Sequence, residues 1–200
     1  MQREMPKKII ELVIADLGDA TRYLPYGAVA ALLITGIVWI VLFLWKENKP
    51  EIRLLAVFFL SVFFSEVLFL TFLNREPGSR TQMELRLFGT FHSDACSISY
   101  VVENFLFFMP AGILFPLAFP KRFKSAGHIF LIFLISVMIE VLQHLTGRGY
   151  AQLDDVILNT LGAAVSFWFF CLVREKEKLK GEERLELIGK ETGKTREKLL

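Results

Sequence analysis

The stretch from Glu140 to Asn159 collects most of the side chains in this chain that could do chemistry. Two carboxylates open the possibilities: Glu140 as a general base and Asp154 as an orienting acid. Arg148 between them is suited to hold phosphate or carboxylate. Gln143, His144, Asp155 and Asn159 add amides, an imidazole and a third acid. Apolar runs flank the stretch on both sides. Ionisable groups placed where lipid should be are costly, so they call for an explanation.

The apolar runs are the elements that must position these groups. The 200-residue chain is 54% hydrophobic and holds 20 phenylalanines. Soluble domains sit at roughly 45–50%, and here the excess lies in long runs, the pattern of a membrane protein. The expected fold is an all-α polytopic membrane bundle of about five transmembrane helices with an N-terminal amphipathic helix. The spans read as Leu24–Trp45, Leu54–Leu73, Ser99–Phe119, His128–Leu145 and Val156–Val173. At 18 to 22 residues each, they measure roughly 27–33 Å, the thickness of a hydrocarbon core. Residues 1–22 form the amphipathic segment, 23–173 the membrane domain and 174–200 a charged tail, solvated and partly helical or disordered.

Lysine and arginine near the spans set the orientation. Arg174, Lys176, Lys178, Lys180 and Arg184 follow the last span, with Lys46, Lys49, Arg53, Lys121, Arg122 and Lys124 on the same side. That side is expected in the cytoplasm, with the N-terminus outside. Glu103 and Asn104 then begin the third span at the outer surface, Glu140, Gln143 and His144 end the fourth, and Asp154, Asp155 and Asn159 begin the fifth. A long loop from Asn74 to about Ile98 faces the same side. It carries Arg75, Arg86 and His92 among apolar Met83, Leu85, Leu87, Phe88 and Phe91, as a lid over the cluster would.

Each residue also has a purely structural reading. Asp154 fits as the N-cap of the fifth helix, with Asp155 favouring its positive end. Arg148 fits as a bridge to Asp154 or Glu140. Asn159, Gly162 and Ser166 recur at a spacing that glues membrane helices. Glu66, alone within the second span, needs either a partner inside the bundle or the neutral form, and Arg75 is two and a half turns away. Glu140-x-x-x-His144 is not the His-Glu-x-x-His of zinc proteases, and neither a nucleophile elbow nor a phosphate loop occurs. No metal or cofactor is expected. A net charge of +2 gives no reason to expect nucleic acid, and Cys96 and Cys171 fall on opposite sides of the membrane in this reading.

The ordered set Thr71-x-x-Asn74-Arg75-Glu76, Glu103-Asn104-x-x-Phe107-Phe108-Met109-Pro110-Ala111-Gly112, Ile139-Glu140-x-x-Gln143, Arg148 and Leu153-Asp154-Asp155-x-x-x-Asn159-Thr160-Leu161-Gly162 resembles the VanZ-like family of bacterial membrane proteins. The likeness covers roughly residues 24–173. It implies a small multi-pass protein of the cell envelope, and its founding member is linked to resistance to the glycopeptide teicoplanin. With the cluster, it gives a first expectation: an outer-leaflet pocket that binds or modifies a lipid-linked wall component or a lipophilic glycopeptide. Glu140, Arg148 and Asp154 lead that site, and Glu103, Asn104, Gln143, His144, Asp155, Asn159 and Arg75 line it. The rivals are an intramembrane hydrolase or transferase with Glu140 as base, and a structural scaffold in which the cluster only locks the helices.

Overall fold

The computed structural model describes residues 4–44, 50–73, 75–78, 82–89, 94–120 and 125–197. Trp45, Lys46, Lys49, Asn74, Phe91, His92, Lys121, Arg122 and Lys124 lie outside them. The elements run α1 (Met5–Thr21), α2 (Leu24–Leu44), α3 (Pro50–Leu68) with a π-helical turn (Phe69–Leu73), β1 (Met83–Glu84), α4 (Ala95–Ala118), α5 (Ser125–Thr146), β2 (Ala151–Gln152) and α6 (Leu153–Glu197). Among the described residues, five helices are long and apolar enough to cross a membrane: α2, α3 with its π turn, α4, α5 and α6. On α2, Val29, Leu32, Leu33, Ile37 and Phe43 are exposed. A soluble fold would have to cover such a face; in a bilayer it is the lipid contact.

The chain forms two compact units, Met1–Ser166 and Phe167–Leu200. The core of the first lies between α3, α4, α5 and the start of α6. Phe63, Phe108, Phe115, Ile132, Ile139 and Ala163 are buried together, with Phe63 and Phe108 edge to face at 5.5 Å. Pro110 and Pro116 sit inside α4 without ending it. In a membrane, neighbours must satisfy backbone groups that proline and helix ends leave free. Arg53 Nε donates to Ala118 O at 2.8 Å and so satisfies a carbonyl at the end of α4, while Ser166 Oγ donates to Met109 O at 2.6 Å and ties α6 to α4 beside Pro110. Asp94 caps its start, accepting from Ser97 N at 3.0 Å.

The helix α1 packs against α4. Ile10 and Ile14, four residues apart, stay exposed on it, as on a helix lying in a membrane interface. In the second unit the helix continues through Glu197, so the tail is helical where the sequence reads as partly helical or disordered. A Lys178–Glu182 pair at 3.6 Å and Arg174 over the Phe170 ring at 5.7 Å support it locally.

Candidate functional site

The site lies at the bundle end where α3 finishes, α4 begins, α5 finishes and α6 begins. Gly147 ends α5 with φ +62°, the left-handed conformation a helix stop needs. Its N–H donates to His144 O at 3.2 Å, and Arg148 N donates to Gln143 O at 3.0 Å. A β-carbon on Gly147 would stand 2.7 Å from Gly78 Cα, so two backbones touch there. Gly78 N donates to Thr146 O at 3.2 Å. The loop after α3 is thereby stitched to the α5–α6 turn. The stitching continues as a short parallel pairing, Met83 with Ala151 and Glu84 with Gln152.

Side chains finish the joint, and most of them serve backbone. Glu140, buried at 7% exposure, accepts from Gln152 N through Oε2 at 2.9 Å. Asp154 accepts from Phe88 N at 2.8 Å. Asp154 lies inside the first turn of α6 rather than at its cap, and it holds the loop instead. Phe88 needs this support, since its φ of 63° is unfavourable for a bulky residue. Arg148 Nη1 donates to Phe72 O at 2.6 Å, on the π turn. The bridge suggested by the sequence, to Asp154 or Glu140, is here a contact with the negative end of α3. Arg75 Nη1 donates to Arg148 O at 3.4 Å. It also packs beside Gly149 and Gln143, where a β-carbon on Gly149 would be 2.9 Å from Arg75 Nη1 and 2.8 Å from Gln143 Cδ.

What remains open is centred on Asp155. Its carboxyl interacts electrostatically with Arg75, Glu140 and Asp154, and hydrogen bonds with Asn104. Its Oδ1 is buried without a hydrogen-bond partner among the described residues. One turn deeper, Asn159 Nδ2 donates to Ser136 Oγ at 2.9 Å, while its own Oδ1 has no partner among the described residues. His144 Nδ1 is likewise unpaired. Of these groups, the Asp155 carboxyl is the one that interacts with the Arg75 guanidinium.

The ten residues singled out in the sequence do not all meet. Arg75, Asn104, Glu140, Gln143, Asp155 and, through the loop, Asp154 and Arg148 come together. Glu103 is turned toward α1, next to Asp16 and Ser99. Asn159 is tied to α5. Sequence reasoning missed Ser136, Gly149, Asp16 and the backbone groups of Phe72, Phe88 and Gln152. Ser136 could have been found, since it lies four residues before Glu140 on the same helix face. The others have no local signature. Among the described residues, no three His, Cys, Asp or Glu side chains are grouped to hold a metal ion. Cys96 and Cys171 are both free and exposed.

These features define a multi-pass membrane protein with a polar site at one end of its bundle, roofed by a structured loop. The VanZ/LLP1 family model matches residues 32–174. The chain belongs to that family, as the motifs around Glu103, Glu140 and Asp154 suggest. No curated protein and no solved structure matches it.

Proposed function

We propose that this protein is a cell-envelope membrane protein that binds the polar head of an amphiphile at the outer leaflet. The head belongs to a lipid-linked wall component or to a lipophilic glycopeptide such as teicoplanin. The observation that carries this reading is the buried, unpartnered Oδ1 of Asp155 beside Arg75. A ligand hydroxyl or amide would satisfy the carboxylate, and a ligand phosphate or carboxylate would meet the guanidinium. Exposed Leu85, Leu87 and Phe88 on the overlying loop supply apolar contact for an acyl chain. In nanodiscs, teicoplanin or an undecaprenyl-linked precursor is expected to bind, and Arg75→Gln to weaken binding about tenfold or more. Binding of neither probe by the wild type would end this reading.

The proposal places the Arg148 end outside and the C-terminus in the cytoplasm, on the basic residues that follow the last span. Cys96 begins α4 at the site end and is exposed. A Cys171→Ser variant on intact cells should react at Cys96 with a membrane-impermeant maleimide. Reaction only after permeabilisation would reverse the orientation.

A second reading has its own observation: Glu140 and Asp154 both accept from backbone N–H groups across the chain. On that view the acids lock the loop to the bundle, and the protein acts as a scaffold for other envelope proteins.

A further inference from the structure

Glu66 takes no part in the site above, yet it is the one acid in the interior of α3's apolar run. It sits seven residues before Leu73, about 10 Å in from that end of the span at 1.5 Å per residue. It is 6% exposed, and among the described residues neither carboxyl oxygen has a hydrogen-bond partner. The nearby hydroxyls do not serve it. Ser61 Oγ donates to Val57 O at 2.8 Å and Ser65 Oγ to Ser61 O at 2.9 Å, each back onto its own helix.

The neighbouring helix makes room for this carboxyl. A β-carbon on Gly27 of α2 would stand 3.1 Å from Glu66 Oε1 and 3.3 Å from Ser65 Cβ. Glycine at this position leaves a notch that the carboxyl occupies. Toward the membrane end the notch is roofed by aromatic rings. Tyr23 stacks on Phe69 with centroids 5.1 Å apart, and Tyr26 lies 5.9 Å from the same ring. Phe69 begins the π turn, a local widening of the helix often found at functional positions.

Two orphan acceptor oxygens held in an apolar interface are unfavourable unless a donor or a positive charge meets them. An anion is excluded by the carboxyl itself. The fit against Gly27 leaves no space for a ligand between the carboxyl and α2. We propose that Glu66, in the notch left by Gly27 between α2 and α3, binds a small cation, a proton or an alkali ion, that enters past Tyr23, Tyr26 and Phe69. This site is separate from the Asp155–Arg75 site and does not depend on its function.

Dicyclohexylcarbodiimide tests the proposal on the full-length protein in detergent micelles. The carboxyl proton passes to a carbodiimide nitrogen while the carboxylate oxygen bonds to the central carbon. The acyl group then migrates to nitrogen and leaves a stable N-acylurea, with no other reactant. Peptide mass spectrometry should find the adduct on Glu66, and Glu66→Gln should lose it. Raising the pH or adding sodium, potassium or lithium should slow the reaction several-fold. Slowing by pH alone identifies a proton site, and slowing by one salt at fixed pH an alkali-ion site. Gly27→Ala, which presses on Oε1 but keeps the acid, should also change the rate. Thermal unfolding of both variants confirms that they are folded. A Glu66 that reacts only after denaturation in sodium dodecyl sulfate overturns the proposal. So does one that reacts at a rate indifferent to pH and to all three salts.

Discussion

Gly162→Ala and Gly112→Ala are each expected to destabilise the bundle severely, and the corresponding valine variants to prevent its closure. A β-carbon on Gly162 would lie 2.0 Å from Phe105 O. One on Gly112 would lie 2.1 Å from Ala163 O and 2.2 Å from Ser166 Oγ. The obstacles are mainly backbone atoms of the facing helix, which cannot rotate away as a side chain can. The helices must separate, and Ser166 then loses its bond to Met109 O, 2.6 Å long. Lipid gives helices no hydrophobic reason to associate, so close packing of small residues and interhelical hydrogen bonds hold them together. Overpacking in a well-filled core costs about 1–3 kcal/mol, and contact with backbone on the far side belongs at the top of that range. Unfolding in mixed micelles measures the loss. Gly36→Ala is the control, because among the described residues nothing lies within 4 Å of a β-carbon there. If Gly162→Ala and Gly36→Ala unfold alike, the α4–α6 crossing is not the joint described here.

Much of this architecture is legible in the sequence because hydrophobic runs are local. The five spans follow from composition, and the polar groups at their ends follow from simple alternation along the chain. The direction of each polar group is less legible. Glu103 and Asn104 are neighbours in sequence, but successive residues on a helix point about 100° apart. Asn104 therefore meets Asp155 on α6, while Glu103 meets Asp16 on α1. Contacts between a side chain and distant backbone are not legible at all. Nothing in the sequence near Arg148 announces the carbonyl of Phe72, and nothing near Asp154 announces the N–H of Phe88. The loop reads as a lid with no sign of how it is held, because its two-residue pairing with Ala151 and Gln152 is too short to leave a strand pattern. The tail reads as partly helical or disordered because its charges mimic a disordered segment, so the extent of its helix is what the sequence leaves open, although Lys178 and Glu182 stand at helical spacing.

Glu140 and Asp155 lie in one cluster, yet substituting them is expected to have opposite consequences, and the contrast separates the two readings of the site. Glu140→Ala removes the acceptor of Gln152 N and leaves that N–H unsatisfied near the membrane. A buried donor without a partner costs about 1–3 kcal/mol, so this variant should unfold at lower temperature. Asp155→Asn keeps the shape and removes a negative charge that stands beside Glu140 and Asp154. Relief of like charges should leave stability unchanged or slightly raised. If the free Oδ1 receives a ligand hydroxyl or amide, the same variant loses a hydrogen bond to a charged group, about 1.5–3 kcal/mol. That is a fall in affinity of about tenfold or more. Thermal unfolding in detergent and probe binding in nanodiscs, run on the same two variants, decide the matter. An Asp155→Asn protein that is folded, at least as stable, and blind to the probe has a binding site. One that is folded and binds unchanged assigns these acids to holding the loop.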